Sequence, residues 1–472
     1  MSDYVPEDLM IKIFTRLPIK SILRCTSVCK SWYSLLTSPN FIFTHLNRKQ
    51  DDHILIQNYV GNSEIYIYAL SRYNEKLDQN NHLDYSFKCS NGVVTIVGSC
   101  NGIVCIAAAD QLNYLNHFYF WNPAIRKPVE LPDLGYTCEK CDTFAYALGF
   151  GYDHVTNDYK VVRVVHTWSH PSPPHVDLYK LSTGVWEDIS HVSLSYLFLA
   201  TTSQAYVNGA SHWIASKWDV SSLVSVIVLF NMHDETFSEM ILPSSLINES
   251  RSFYDEMFLF VSEESLCLVD NNYDKRKPID IWMMKEYGAP DSWVKQFSIQ
   301  NNQFAQHIPL RDDIFWTPYS GNAAPTDFEI ANEFLKPMAI RKNGEILWEG
   351  NRRLLVSVDH TGERFKDADV GNLSNDWCYN PRYVSYYKES LVLPDRWTNN
   401  CVGDACEESS NLWKRKPKDG KRRISRAKSK YRMRIASLLH MSGLLYLSKM
   451  KGKWLRKNGR KIKQVKDPSW SN

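Results

Sequence analysis

The sequence predicts an α+β multidomain chain. A small N-terminal helical unit spans residues 1–47, an all-β propeller of six blades spans 52–396, and a basic tail spans 397–472. Three observations predict this division. Apolar residues recur at helical spacing before residue 47, short apolar runs alternate with turn signals after residue 52, and the charge balance reverses near residue 413.

The helical unit reads as three helices. Pro6 suits a first helical position, where its missing N–H would have no partner anyway, and Glu7 and Asp8 meet the positive end of the helix dipole. Leu9, Ile13 and Leu17 recur every fourth residue beside Met10 and Phe14, giving one wide apolar face that runs to Leu17. Pro18 ends that helix. Ile19 to Cys25 forms a short second helix. Ser27 is the expected N-cap of a third, with Val28, Trp32, Leu35 and Leu36 facing inward and Pro39 as its stop. So short a unit cannot bury its own apolar surface. The residues alone leave two readings open, a cap on the larger domain or a docking unit for another protein.

The order Leu17-Pro18-x-Lys20-Ser21-x-Leu23-Arg24, then Val28-Cys29-Lys30-Ser31-Trp32, then Pro39-x-Phe41-x-x-x-His45-Leu46 resembles the F-box of plant F-box proteins over residues 4–46 without a gap. Val5 stands where that family usually has leucine. The resemblance implies docking to a Skp-family adaptor, and through it to cullin and RING subunits of a ubiquitin ligase. It implies Pro6, Leu9, Ile13, Leu17, Pro18, Leu23, Val28 and Trp32 as adaptor-binding residues.

From residue 52 the periodicity becomes strand-like. Expected strands include Ile54–Tyr59, Ile65–Leu70, Ile103–Ala107, Phe118–Trp121, Lys160–Val165, Val176–Leu181, Val226–Phe230, Leu266–Val269, Ile279–Met283, Pro337–Ile340 and Leu354–Val358. Asn343-Gly344 has the residues of a type I′ hairpin, and Gly184 and Gly362 suit turns needing positive φ. A strand–turn–strand unit repeats through Phe120, Leu178, Leu229, Ile281 and Val356, with a period near 50 that fits kelch-like blades. That makes five blades. A strand near Tyr383–Val392 is expected to join those near 54–70 and close a sixth, which removes open sheet edges. A pair of β-sandwiches is the alternative. Trp121, Trp186, Trp282 and Trp348 are expected in the core. Loops 136–144, 168–175, 285–292 and 317–329 are expected to hold the substrate.

Gly98-Ser-Cys-Asn-Gly-Ile-Val-Cys105, Trp121-Asn-Pro-Ala-Ile-Arg126, Leu148-Gly-Phe-Gly-Tyr-Asp153 with Asp158-Tyr-Lys-Val161, and His212-Trp213 resemble the plant F-box-associated domain over roughly 90–393. Ile281-Trp-Met-Met-Lys-Glu-Tyr287 and Tyr387-Lys-Glu-Ser-Leu391 are similar to S-locus-like F-box proteins. The resemblance implies substrate recruitment and leaves the substrate-binding residues unassigned.

Composition narrows the function classes. Aromatic content is 13%, which suits pleated, half-buried surfaces. Eleven scattered cysteines without a regular framework point to a reducing compartment, cytoplasm or nucleus. No signal peptide or membrane span is expected, so no membrane partner is. Residues 413–472 carry 21 Lys and Arg against 2 acidic residues, a net +19, whereas the rest is −16. Three readings of the tail stay open: a nuclear-import or nucleic-acid patch, a solvated extension, or an extension without a selected role. A nucleic-acid contact is expected only there.

No catalytic residues, metal site or cofactor are expected. Cys138-x-x-Cys141 lacks a second pair at zinc spacing, and His166, His170 and His175 read as a proline-rich loop. Phosphate loops, nucleophile elbows and HExxH are missing. The expected function is substrate recognition for an SCF-type cullin-RING ligase, so the chain itself is not an enzyme. The alternatives are an S-locus-type receptor for a secreted ribonuclease and a propeller carbohydrate-active enzyme.

Overall fold

The computed structural model describes residues 6–48, 53–60, 64–71, 82–88, 94–109, 115–134, 144–167, 174–191, 196–198, 205–219, 222–247, 256–271, 277–300, 336–341, 343–349, 355–359, 365–367 and 384–392. Its first part has four helices, not three: α1 (Glu7–Phe14), α2 (Ile19–Cys25), α3 (Lys30–Leu36) and α4 (Pro39–Leu46). α1 stops three residues before Leu17, where i→i+3 bonds from Arg16 and Leu17 tighten the chain and Thr15 Oγ1 donates to the Ile11 carbonyl. Pro18 then caps α2, since it has no N–H to extend α1. α3 starts after Cys29 and not after Ser27, with no side-chain cap, and Val28 points outward. Pro39 does not merely end α3. It occupies the first turn of α4, with Ser38 Oγ accepting from the Phe41 amide at 3.2 Å.

Among the described residues the strands form six antiparallel sheets. Sheet 1 holds β1 (His53–Val60), β2 (Glu64–Ser71) and β3 (His82–Lys88). Sheet 2 holds β4 (Val94–Cys100), β5 (Ile103–Ala109), β6 (Leu115–Asn122) and β7 (Lys127–Glu130). Sheet 3 holds β8 (Phe144–Asp153), β9 (Asp158–Thr167), β10 (His175–Lys180) and β11 (Val185–Asp188). Sheet 4 holds β12 (Leu197–Phe198), β13 (Ala205–Val207), β14 (Ala210–Asp219), β15 (Ser222–Asn231) and β16 (Thr236–Met240), followed by the short helix α5 (Ser244–Ile247). Sheet 5 holds β17 (Glu256–Ser262), β18 (Ser265–Asn271), β19 (Ile279–Met284) and β20 (Trp293–Ile299). Sheet 6 holds β21 (Lys336–Ile340), β22 (Ile346–Glu349), β23 (Leu355–Val358) and β24 (Phe365–Asp367). The late strand β25 (Val384–Tyr387) returns to sheet 1 and pairs with β1, Ile54 opposite Tyr386. The expected closure by both ends of the domain is therefore present, and the alternative of two sandwiches is not.

Phe120, Leu178, Leu229, Ile281 and Val356 all fall on the third strand in the hydrogen-bonded order of their sheets, β13 of sheet 4 lying off that path, so the repeat marks one structural position. Neighbouring sheets bury apolar faces against each other. Phe118, Phe120, Phe150 and Tyr179 join sheets 2 and 3, while Leu178, Phe198, Trp213 and Phe230 join sheets 3 and 4. Indoles add polar rivets. Trp186 Nε1 donates to the Pro132 carbonyl at 2.9 Å, and Trp293 Nε1 to the Ile241 carbonyl at 3.1 Å. Both indoles sit on a fourth strand and reach just past the fourth strand of the preceding sheet. Trp121 and Trp348 are fully buried, as expected. Trp186, on the outermost strand of sheet 3, and Trp282, on the third strand of sheet 5, are only partly so. Gly344 alone takes positive φ at its turn, donating to the Arg341 carbonyl, so that connection is not the expected type I′ hairpin.

Antiparallel pairing sorts the connections onto two faces. Turns between first and second strands, and between third and fourth, lie on one face; the others lie opposite. The strand ends flanking loops 136–144, 168–175 and 317–329 belong to the second face, and those flanking 285–292 to the first. Loops 317–329 and most of 136–144 and 168–175 lie outside the described residues, as do Cys138, Cys141, His170, Gly362 and the basic tail.

Candidate functional site: the docking helices and the propeller junction

The eight residues singled out for docking divide into two groups. Leu9 (49% exposed) and Ile13 (55%) stand one helical turn apart on the outer face of α1, and Val28 is 63% exposed at the entry to α3. Pro6 and Pro18 are exposed at the starts of α1 and α2. Leu17, Leu23 and Trp32 are half-buried and pack on a core of Phe14, Ile19, Ile22, Leu36 and Phe41. Trp32 meets Phe14 edge to face, with ring centroids 4.8 Å apart. The first group leaves apolar surface exposed, and the second holds the helices together.

Two exposed aromatics were missed by sequence reasoning, Tyr33 on α3 and Phe43 on α4. The helical pattern around Trp32 and Phe41 could have placed them on outer faces. Apolar side chains at this density on one small unit mark an interaction surface. The Cys29 thiol lies at the same end of α3; the Ser31 hydroxyl and the Trp32 amide hold it below its ordinary pKa. Deeper in, His45 is buried against the Leu17 carbonyl at 3.4 Å, and burial keeps its imidazole below the usual pKa. Arg48 donates to the Thr15 carbonyl and ties α4 to the end of α1.

The propeller's polar clusters are framework. Lys160 Nζ, on β9, donates to Asp153 Oδ2 (3.0 Å), Glu235 Oε1 (2.9 Å) and the Met232 carbonyl (2.6 Å), bridging sheets 3 and 4. Burial pushes the Asp153 carboxyl upward. Hydrogen bonds from Thr156, Lys160, Val155 and His233 outweigh it and hold the group well below the ordinary carboxylate range.

His166 and His175 are not in a loop but on the strands that flank it. His175 joins Asp177 Oδ1 (2.8 Å) and Ser190 Oγ (3.0 Å), an arrangement that superficially suggests nucleophilic catalysis. Arg163 neutralises Asp177 at 2.7 Å, and Ser190 Oγ is already occupied by the Val176 amide at 2.9 Å. The cluster therefore closes the end of sheet 3. No group of three or more His, Cys, Asp or Glu suited to a metal occurs among the described residues. No helix among them is long and apolar enough to cross a membrane.

A small helical unit with exposed apolar side chains, fused to a closed ring of small sheets, is the architecture of a two-part protein of the propeller class. Family models agree. The F-box domain matches residues 4–44, and the F-box associated beta propeller domain matches 57–393. The chain belongs to the F-box proteins that carry this propeller domain. Among curated relatives, the F-box protein CPR1 of Arabidopsis thaliana is 29% identical over 63% of this chain and 73% of that protein. The F-box protein At3g07870 of Arabidopsis thaliana is 28% identical over 79% of this chain and 88% of that one. Among solved structures, an Aleuria aurantia lectin in complex with alpha-methyl-L-fucoside aligns over 69% of this chain and 97% of its own at 10% identity, with a TM-score of 0.37, too distant to carry an argument. The family supports a substrate-recognition role in an SCF complex through a Skp-family adaptor, and it points to an adaptor, not an enzyme.

Proposed function

We propose that this protein is the substrate-recognition subunit of an SCF-type cullin-RING ubiquitin ligase, in cytoplasm or nucleus. The helical unit docks on a Skp-family adaptor through Pro6, Leu9, Ile13, Pro18 and Val28, with Leu17, Leu23 and Trp32 as their support. Propeller loops hold a protein substrate. The gain is effective concentration, because a tethered lysine meets the ubiquitin carrier within one assembly. The observation that carries this reading is the outward Leu9–Ile13 pair on a helix whose inner face is already packed.

Leu9→Asp/Ile13→Asp tests the docking. Each large apolar side chain buried at an interface is worth roughly 1.5–3 kcal/mol. The double variant should therefore lose co-purification with the adaptor while its melting temperature holds. Undiminished adaptor binding would overturn the assignment. Leu17→Ala/Pro18→Ala should also abolish binding, with Leu17 acting through the helix core.

The narrower reading as a receptor for a secreted ribonuclease rested on Ile281–Tyr287 and Tyr387–Leu391. Their side chains have framework partners. Tyr287 Oη meets His212 Nε2 at 2.8 Å, and Tyr387 and Leu391 are buried. These residues support a shared scaffold more than a shared ligand.

A further inference from the structure

The five residues after β25 are bound on two sides. Asn122, fully buried at the end of β6, donates its side-chain amide to the Ser390 carbonyl (3.0 Å) and to the Val392 carbonyl (2.8 Å). Its own Oδ1 accepts from the Ala124 amide at 3.0 Å. Gly102, at φ +79°, lets the strand approach: a Cβ there would stand 2.4 Å from Ser390 Oγ and 2.7 Å from the Lys388 carbonyl. The two side chains that follow Ser390 then diverge. Leu391 enters the core of the helical unit with Phe14, Ile19, Ile22, Leu36 and Phe41. Val392 enters the propeller core with Val97, Ile103, Phe118 and Phe120. Ile42 of α4 packs on both clusters.

We infer that Leu391 is a positioning residue that locks the docking helices and the propeller into one rigid body. A single hydrogen-bonded segment closes sheet 1, anchors to sheet 2 through Asn122 and completes the helical core. The helices therefore cannot turn relative to the ring without withdrawing Leu391 or breaking the Asn122 bonds. Leu391 buries nothing on the exposed Leu9–Ile13 face, so its role separates from docking. This inference rests on the reading as a ligase subunit for its consequence: the direction in which the propeller presents a lysine is fixed by residues 390–392.

The test uses the full chain as wild type, Leu391→Ala, Leu391→Asp and the conservative Leu391→Met. Hydrogen exchange followed by mass spectrometry reads the junction without any partner. Amides of α2 and α4 should exchange at least tenfold faster in Leu391→Asp, less so in Leu391→Ala, while β14 and β15 hold. Unchanged exchange in all variants overturns the inference. The second readout is the set of propeller lysines modified when the protein is reconstituted with a Skp-family adaptor, cullin, RING and a loaded ubiquitin carrier. Wild type and Leu391→Met should share one restricted set. Leu391→Ala should broaden it while adaptor affinity stays within threefold; Leu391→Asp, which puts a charge into the core that supports docking, is read by hydrogen exchange alone. Loss of adaptor binding in Leu391→Ala would make Leu391 a folding residue and overturn the positioning role. If wild type itself neither binds the adaptor nor supports transfer, the ligase reading fails, and hydrogen exchange still decides the coupling.

Discussion

Replacing Lys160 with Met separates a buried ion network from a surface one. The stem of the side chain is kept and the ammonium removed. In the native protein that ammonium spends its three protons on Asp153, Glu235 and the Met232 carbonyl, at 2.6–3.0 Å, and is 3% exposed. After substitution Asp153, 1% exposed, still accepts from Thr156 Oγ1 at 2.7 Å and the Val155 amide at 2.9 Å, but its charge loses the lysine. Breaking one partner out of a buried pair costs about 3–5 kcal/mol, because the stranded charge stays desolvated. At roughly 2.1 cal/mol/K of unfolding entropy per residue, a domain this size shifts by about 1.4 °C per kcal/mol, so the melting midpoint should fall by about 4–7 °C. Scanning fluorimetry reads this directly. Lys160→Met/Asp153→Asn, which removes both charges, should recover at least half of the loss. The pH dependence has a fixed sign. Asp153 has a depressed folded pKa, so its stabilising contribution is present above the ordinary carboxylate value and lost as pH falls. Without Lys160 that depression shrinks, and the gap between wild type and variant should narrow on acidification. A loss under about 1 kcal/mol, as an exposed pair would give, or a gap that widens at low pH, would refute the reasoning.

His166 and His212 are buried, and desolvation lowers both imidazoles to about 4, from 6.5. The unfolded chain takes up these protons first, so stability should fall as pH drops from 6.5 toward 4, by up to about 1.4 kcal/mol per pH unit for each. Urea midpoints measured from pH 7 to 5 check this, and His166→Gln/His212→Gln should flatten the profile. Trp186→Phe and Trp293→Phe each remove one indole bond between adjacent sheets and should cost about 0.5–1.5 kcal/mol in denaturant titration; no loss in either would show the indoles to be incidental. Truncation at Asp395 removes the basic tail and should leave the melting temperature and adaptor binding unchanged; a large drop would make the tail structural.

The third strands were legible because each carries a short, mostly apolar stretch followed by turn residues, and the five units repeat. Inner strands were harder. β8 contains Gly149 and Gly151, which read as interruptions in a strand pattern. The structure shows why they are glycine: a Cβ at Gly149 would meet Val162 at 2.7 Å, and one at Gly151 would meet the Tyr206 ring at 2.2 Å. Close approach by neighbouring elements thus erases the local signal of the strand it needs. α4 was missed for a different reason. Pro39 reads as the stop of α3, although a proline preceded by a hydroxyl residue is equally a start.

The eight residues expected to bind the adaptor divide into exposed and half-buried ones, and that division was not legible in the sequence. Leu9, Leu17 and Trp32 share one apolar pattern, and nothing local distinguishes a side chain facing solvent from one facing a core. What decides between them is the rest of the protein. The helical unit on its own would lack Leu391 and Ala124, both supplied from the propeller region, so its inner face is defined only once the ring has closed. The same dependence explains why Tyr387 through Leu391 looked like a family signature without a task. Tyr387 packs with Leu55, Val94 and Trp121, Ser390 takes the Asn122 amide, and Leu391 leaves the ring for the helices. Each residue answers to a partner far away in sequence. The motif is therefore accounted for by how the two halves are joined.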